Sequence, residues 1–387
     1  MKKYLIFAAT AAVVLSACAK VETVKVVSDK EAVSFGVYTG KATTKAVSTT
    51  EYGNIDNDIL KNSTYGFGVF AYYSDGDANK YVASPSNFKP NFMYNQQVKY
   101  NAGTWKYSPI KYWPNEYNTT DAIGADIDRL SFFAYAPFVE TPAEEGITSI
   151  SAATDIQDPT IGFKVPAESD KQIDLLWSDA ATTNLTKPAI NTPVHFTFKH
   201  ALSNLSIIPV AVVDAKTTIP ASAGTDIDAA TTVTINSITV NGQFNQEGTL
   251  NIATGAWTSS AAATAQTVTY APATPFDVTD INDKAEATAY IAANPGKLPE
   301  FMFIPSSAAK DYVITIDYDF TTTDARLEGG KAVVHNVIHK TVSNLEFAQG
   351  KKIKMYIGLG ITSVVVDAEV GNWTDDTEQN IWLPINL

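Results

Sequence analysis

"VHFTFKHALSNLSIIPVAVV", residues 194–213, sets the fold class. Val194, Phe196 and Phe198 alternate with His195, Thr197 and Lys199. That period of two puts the apolar side chains on one face of a strand. The same texture recurs in both directions. Upstream are "VSFGVY" (33–38), "FGVFAYY" (67–73), "RLSFFAYAPF" (129–138), "IGFKVP" (161–166) and "QIDLLWSD" (172–179). Downstream are "TVTINSITVNGQFNQEGTLNI" (232–252), "AQTVTYAP" (265–272), "FMFIPSS" (301–307), "DYVITIDYDF" (311–320), "AVVHNVIHKTV" (332–342), "KIKMYIGLG" (352–360) and "VVVDAEVGNW" (364–373). "FMYNQQVKYNAGTWKYSPIKYWP" (92–114) reads as two strands around a turn at Asn101-Ala102-Gly103. One helix is predicted in "AEATAYIAANPG" (285–296), stopped by Pro295-Gly296. Short strands spaced by turns make an all-β chain of two β-sandwiches, divided at "KPAINTP" (187–193), near residue 190.

The chain has 387 residues and a formal net charge of −13, which disfavours nucleic acid and anionic membrane surfaces as partners. Its one cysteine, Cys18, allows no internal disulfide and no cysteine-based metal cage. Cys18 follows Lys2, Lys3 and an apolar run from Tyr4 to Leu15, which reads as a signal peptide over residues 1–17. Leu15-Ser16-Ala17-Cys18 resembles the bacterial lipobox, so Cys18 is the expected lipid-bearing residue and lipid the expected anchor.

Chemistry is sparsely marked. His335 and His339 share a strand face, but strand spacing sets them about 13 Å apart, too far to share a metal. No Glu follows His335, so the zinc-protease pattern fails. His195 and His200 fall on opposite faces of one strand. Asp75-x-Asp77-x-Asn79 resembles the start of a calcium loop, yet Lys80 and Ser86 stand where the loop needs Gly and Glu. No P-loop, nucleophile elbow or dinucleotide fingerprint is present, so neither an enzyme, a metal nor a cofactor is expected. Trp105, Tyr107, Tyr112 and Trp113 have two readings: an exposed sugar-stacking platform, or a sandwich core and its rim.

An ordered set of stretches resembles the Bacteroidales fimbrillins, of the Mfa-like and FimA-like kind. They are "FGVFAYY" (67–73), "WKYSPIKYWP" (105–114), "LSFFAYAP" (130–137), "DLLWSD" (174–179), "PVHFTFKHALSNLSI" (193–207), "FMFIP" (301–305) and "GKKIKMYIGLGITSVVVDAEVGNW" (350–373). The resemblance implies two tandem transthyretin-like β-sandwiches, here 46–190 and 191–387, and a pilus subunit exported as an outer-membrane lipoprotein. It also implies that a trypsin-like protease removes an N-terminal segment, here 18–45, taking with it the strand of Val33, Phe35 and Val37. The cut then falls between Lys45 and Ala46, with Lys41 the alternative. The chain's arginines, Arg129 and Arg326, lie far downstream, which leaves either a Lys-tolerant protease or a subunit that stays uncut. A neighbour's C-terminal strand fills the groove. "NIWLPINL" (380–387) suits that role, with Ile381, Leu383, Ile385 and Leu387 on one face. The implied partners are other fimbrillin subunits, the maturation protease, the outer membrane and a host or bacterial receptor. The rival expectation is a tip adhesin or a surface glycan-binding lipoprotein.

Overall fold

Alternation in the sequence becomes strand along the chain. The computed structural model describes residues 31–38, 55–62, 64–75, 81, 85–114, 128–178, 182–188, 191–211, 231–259, 264–278, 284–293, 298–306, 308–323, 327–359, 364–372 and 378–379. The first elements are β1 (Phe35–Tyr38), α1 (Asn57–Asn62), β2 (Phe67–Ser74), β3 (Met93–Asn101), β4 (Thr104–Lys106) and β5 (Arg129–Ala136). Then come β6 (Gly146–Ile150), β7 (Thr160–Lys164), β8 (Leu176–Ser178), β9 (Val194–His200) and β10 (Ser203–Ala211). Next are β11 (Thr231–Phe244), β12 (Glu247–Asn251), β13 (Trp257–Ser259), β14 (Thr264–Tyr270), β15 (Phe276–Asp277) and α2 (Lys284–Ala293). The rest are β16 (Glu300–Phe303), β17 (Lys310–Thr323), β18 (Lys331–Leu345), β19 (Lys351–Leu359), β20 (Val364–Asn372) and β21 (Glu378–Gln379).

The strands form two sandwiches, so the all-β expectation holds. In the first, a sheet in the order β1-β9-β8-β5-β2-β3-β4 packs on one of order β13-β12-β7-β6. Phe70, Tyr72, Phe133 and Tyr135 of the larger sheet meet Ile161, Phe163 and Leu250 of the smaller in one core. The other face of the larger sheet is also dry. There Phe67, Val69, Phe132, Ala134, Phe196 and Phe198 form a second core with Phe35. β2 and β5 are therefore buried on both faces, and their sequences run almost without polar residues. The β3–β4 turn has Ala102 and Gly103 at φ 50° and 85°, the paired left-handed geometry of a two-residue hairpin.

The second sandwich sets β16-β10-β19-β20-β21 against β14-β11-β17-β18, with β15 alongside β11. Leu205, Ile207, Phe301 and Met355 of one sheet share a core with Ile238, Val240, Ile314 and Ile316 of the other. The predicted helix is α2, whose Ala287 is buried in this core and whose Tyr290 packs on Phe276, ring centroids 5.8 Å apart. No helix among the described residues is long and apolar enough to cross a membrane.

Sheet membership crosses the expected division at residue 190 twice. β9 follows that point in sequence yet is hydrogen-bonded between β1 and β8. The β12–β13 hairpin lies between the second-sandwich strands β11 and β14 in sequence, but β12 pairs with β7 of the first sandwich. Alternation marks a strand's inward face and says nothing about its neighbours, so these pairings had no local signal.

Candidate functional site

β1 is where the sequence-predicted residues and an unusual pairing meet. It is the end strand of its sheet and runs parallel to β9, with Phe35 opposite Val194 and Val37 opposite Phe196. Val194 N donates to Ser34 O at 2.8 Å. Its other edge meets the segment after β4: Val33 N donates to Lys111 O and Trp113 N donates to Glu31 O, both at 2.9 Å. An antiparallel bridge between Ala32 and Tyr112 lies between those two bonds. β1 with the residues before it thus forms a seam between β9 and the segment that follows β4.

The seam is packed as a core. Val33 and Phe35 are buried, and Val37 packs against the same cluster. Phe35 sits among Tyr107, Phe196, Phe132 and Phe67, with ring centroids at 5.3, 5.5, 5.8 and 6.4 Å. Tyr107 donates from its hydroxyl to Val33 O at 2.8 Å. Burial pushes the Tyr107 phenol up to about 12, despite a hydrogen bond to the Lys111 backbone that acts the other way. At position 36 the strand carries glycine, and a Cβ there would approach His195 Nδ1 to 2.5 Å.

The chain is fastened again just downstream, without β1. Ile55 is buried and donates from its backbone to Asp174 Oδ2 at 3.0 Å. The same oxygen lies 2.8 Å from His200 Nδ1, at the end of β9. Asp56 Oδ1 accepts from Ile59 N at 2.7 Å and so caps α1, which the sequence reading did not anticipate although Asp56 was its signal. The link between Asp174 and His200 was likewise beyond the sequence, because Asp174 precedes β8 and His200 ends β9, 26 positions further along the chain.

The aromatic cluster resolves toward the core. Trp113 is buried against Phe132 with ring centroids 5.9 Å apart, and Trp105 packs on Phe67 at 5.0 Å. Tyr112 alone of the four is substantially exposed, at 47%. Trp105 and Trp113 therefore form no shared platform for a sugar. The remaining histidines have separate partners: His335 Nδ1 lies 2.8 Å from Asp319 Oδ1, and His339 Nδ1 lies 2.8 Å from Thr315 Oγ1. Among the described residues no group of three or more His, Cys, Asp or Glu side chains is arranged to hold a metal. Cys18, Lys41, Lys45, Ala46, Asp77, Asn79, Ile381, Leu383, Ile385 and Leu387 lie outside the described residues.

Residues 44–373 match the family described as fimbrillin-like. The chain belongs to the fimbrillin-like family. Part of this fimbrillin is similar to the fimbrium subunit Fim1C of Phocaeicola vulgatus, at 30% identity over 151 residues. That match covers 38% of the fimbrillin and 36% of the relative. In fold the fimbrillin is similar to the crystal structure of a fimbrial protein from Bacteroides vulgatus, with a TM-score of 0.59 and 20% identity. There the likeness covers 89% of the fimbrillin and 100% of the other chain.

Proposed function

We propose that this fimbrillin is a structural subunit of a cell-surface pilus and polymerises by exchanging β1 for a neighbour's C-terminal strand. The observation that carries the reading is the state of β1. Its apolar residues are buried in a core made by the rest of the sheet, yet the chain is fastened independently at Ile55 through Asp174. Cleavage between residues 38 and 55 would free β1 and leave the fold anchored from Ile55 onward.

The vacated slot would be lined by Phe67, Tyr107, Phe132 and Phe196, the rings that surround Phe35. Ile381, Leu383, Ile385 and Leu387 carry aliphatic side chains at the same spacing of two as Val33, Phe35 and Val37. Burying four such side chains stabilises a junction by roughly 6–12 kcal/mol as an upper figure. Lost translational freedom and ordering of the tail offset part of this. Export as a lipoprotein on Cys18 brings the precursor to the outer membrane. Cutting after Lys45 converts it to the assembling form, and the partners are further fimbrillin subunits and, through the finished fibre, a surface receptor. A glycan-binding role lacks support from the aromatic cluster, since Trp105 and Trp113 face the core.

The test is the N-terminus of assembled protein. Sequencing of subunits from purified fibres should begin at Ala46, and Lys45→Gln should leave uncut precursor. Assembled subunits that still carry residues 33–37 would refute strand exchange.

A further inference from the structure

This inference rests on the strand-exchange reading and concerns the direction in which the entering strand runs. In β1 and the residues before it, two alternations are locked together. Val33, whose side chain is buried in the core, turns its backbone N–H away from β9 to donate to Lys111 O, and two residues earlier Glu31 O accepts from Trp113 N on the same edge. Residues with outward side chains turn their backbone groups toward β9: Ser34 O accepts from Val194 N. In an extended chain of L-residues these relations are fixed by chirality. Turning a strand end for end in the same slot, with the same side chains inward, exchanges the two edges.

The tail carries a residue that makes the exchange matter. With Ile381, Leu383 and Ile385 inward, Pro384 is outward, and it has no N–H to give. Laid in the direction of β1, the tail would aim Pro384 at β9, in the middle of the ladder. One β9 carbonyl would lose its donor, and the proline ring would press on it. Laid the other way, Leu383 and Ile385 present complete backbone groups to β9, while Pro384 faces the seam. On that edge the described bonds of the displaced segment involve only Glu31 and Val33, so a missing donor there breaks little.

We infer that the neighbour's tail enters antiparallel to β9, opposite in direction to the strand it replaces. Pro384 then selects the direction, because it penalises the β1-like orientation and is tolerated in the reverse one. The junction also changes character, from a parallel pair in the precursor to an antiparallel pair in the fibre.

Cysteine pairs read the direction directly, because the chain downstream of Lys45 has no cysteine of its own. Thr192 and Thr197 are exposed residues flanking the site, and Thr197 is paired with Tyr38 at the far end of β1. Acceptor subunits carry Thr192→Cys or Thr197→Cys, and donor subunits carry Asn380→Cys or Asn386→Cys. Each donor is expressed together with each acceptor, and the assembled fibres are oxidised. Disulfides should join 386 to 192 and 380 to 197 between different chains. Disulfides joining 386 to 197 and 380 to 192 would overturn the direction and leave strand exchange standing. Fibres whose tails crosslink to neither acceptor would overturn strand exchange itself.

Discussion

Phe35 stacks on Phe196, with ring centroids 5.5 Å apart and planes 25° from parallel. One ring belongs to the strand proposed to leave, the other to the strand that stays, so the two residues separate the precursor from the fibre. Phe35→Ala should destabilise the uncut precursor by about 3–5 kcal/mol, the usual cost of emptying a phenylalanine site. It should leave the assembled fibre unchanged, because the altered residue is gone. Phe196→Ala should weaken both. Denaturant midpoints of precursor and fibre measure this, and a fibre weakened by Phe35→Ala would mean that β1 is retained.

The lipid prediction is independent of the sandwich. Cys18→Ser should abolish acyl labelling and hold the protein as a precursor with its signal segment attached. Metabolic labelling with a fatty acid and the mass of the accumulated species read this out. Labelling that survives the substitution would move the anchor elsewhere.

A pH effect is expected on the outer face of the second sandwich. The hydrogen bond that His335 donates to the Asp319 carboxylate, reinforced by the nearby Asp317 carboxylate, raises the His335 imidazole above its ordinary value. The same bond, helped by Asn236, holds Asp319 below the usual carboxylate range. A raised folded-state value means that His335 stabilises the fold fully below its unfolded pKa of about 6.5. That contribution is lost as pH rises through the folded value. Asp319→Asn should therefore move the His335 titration, followed by NMR, toward lower pH. Because His335 is exposed, the change in overall stability should be small.

What the sequence made legible was the strands, and the reason is visible in β17. Tyr312, Ile314, Ile316, Tyr318 and Phe320 are all buried, and the residues between them are not. One dry face and one wetter face give a clean period of two. β10 lacks that contrast, being buried throughout with Ser203, Asn204 and Ser206 inside. β18 lacks it in the opposite sense: its apolar Val333, Val334 and Val337 are about half exposed on an end strand. Partners were less legible still. The match of Phe35 to Val194 and the return of β12 to β7 depend on chain segments distant in sequence. At the site, Val33 and Phe35 were found by alternation, whereas the anchoring of Ile55 by Asp174 had no pattern to reveal it.

The tail gives the most discriminating prediction. If Ile381, Leu383, Ile385 and Leu387 fill a neighbour's slot, they matter for assembly and little for the subunit's own fold. Deleting residues 380–387 should leave a secreted monomer with an unchanged melting transition and no capacity to extend a fibre. Leu383→Asp should act alike, because the slot rings Phe67, Phe132 and Phe196 cannot hydrogen-bond a carboxylate and the one Tyr107 hydroxyl beside them does not replace the water a buried charge gives up. Asn386→Asp, on the alternate face, should assemble nearly as the parent does. Electron microscopy of shed fibres and thermal unfolding of the monomers separate the two effects. A truncated chain that fails to fold would place the tail in its own sandwich, and a Leu383→Asp chain that still polymerises would mean that some other segment fills the slot.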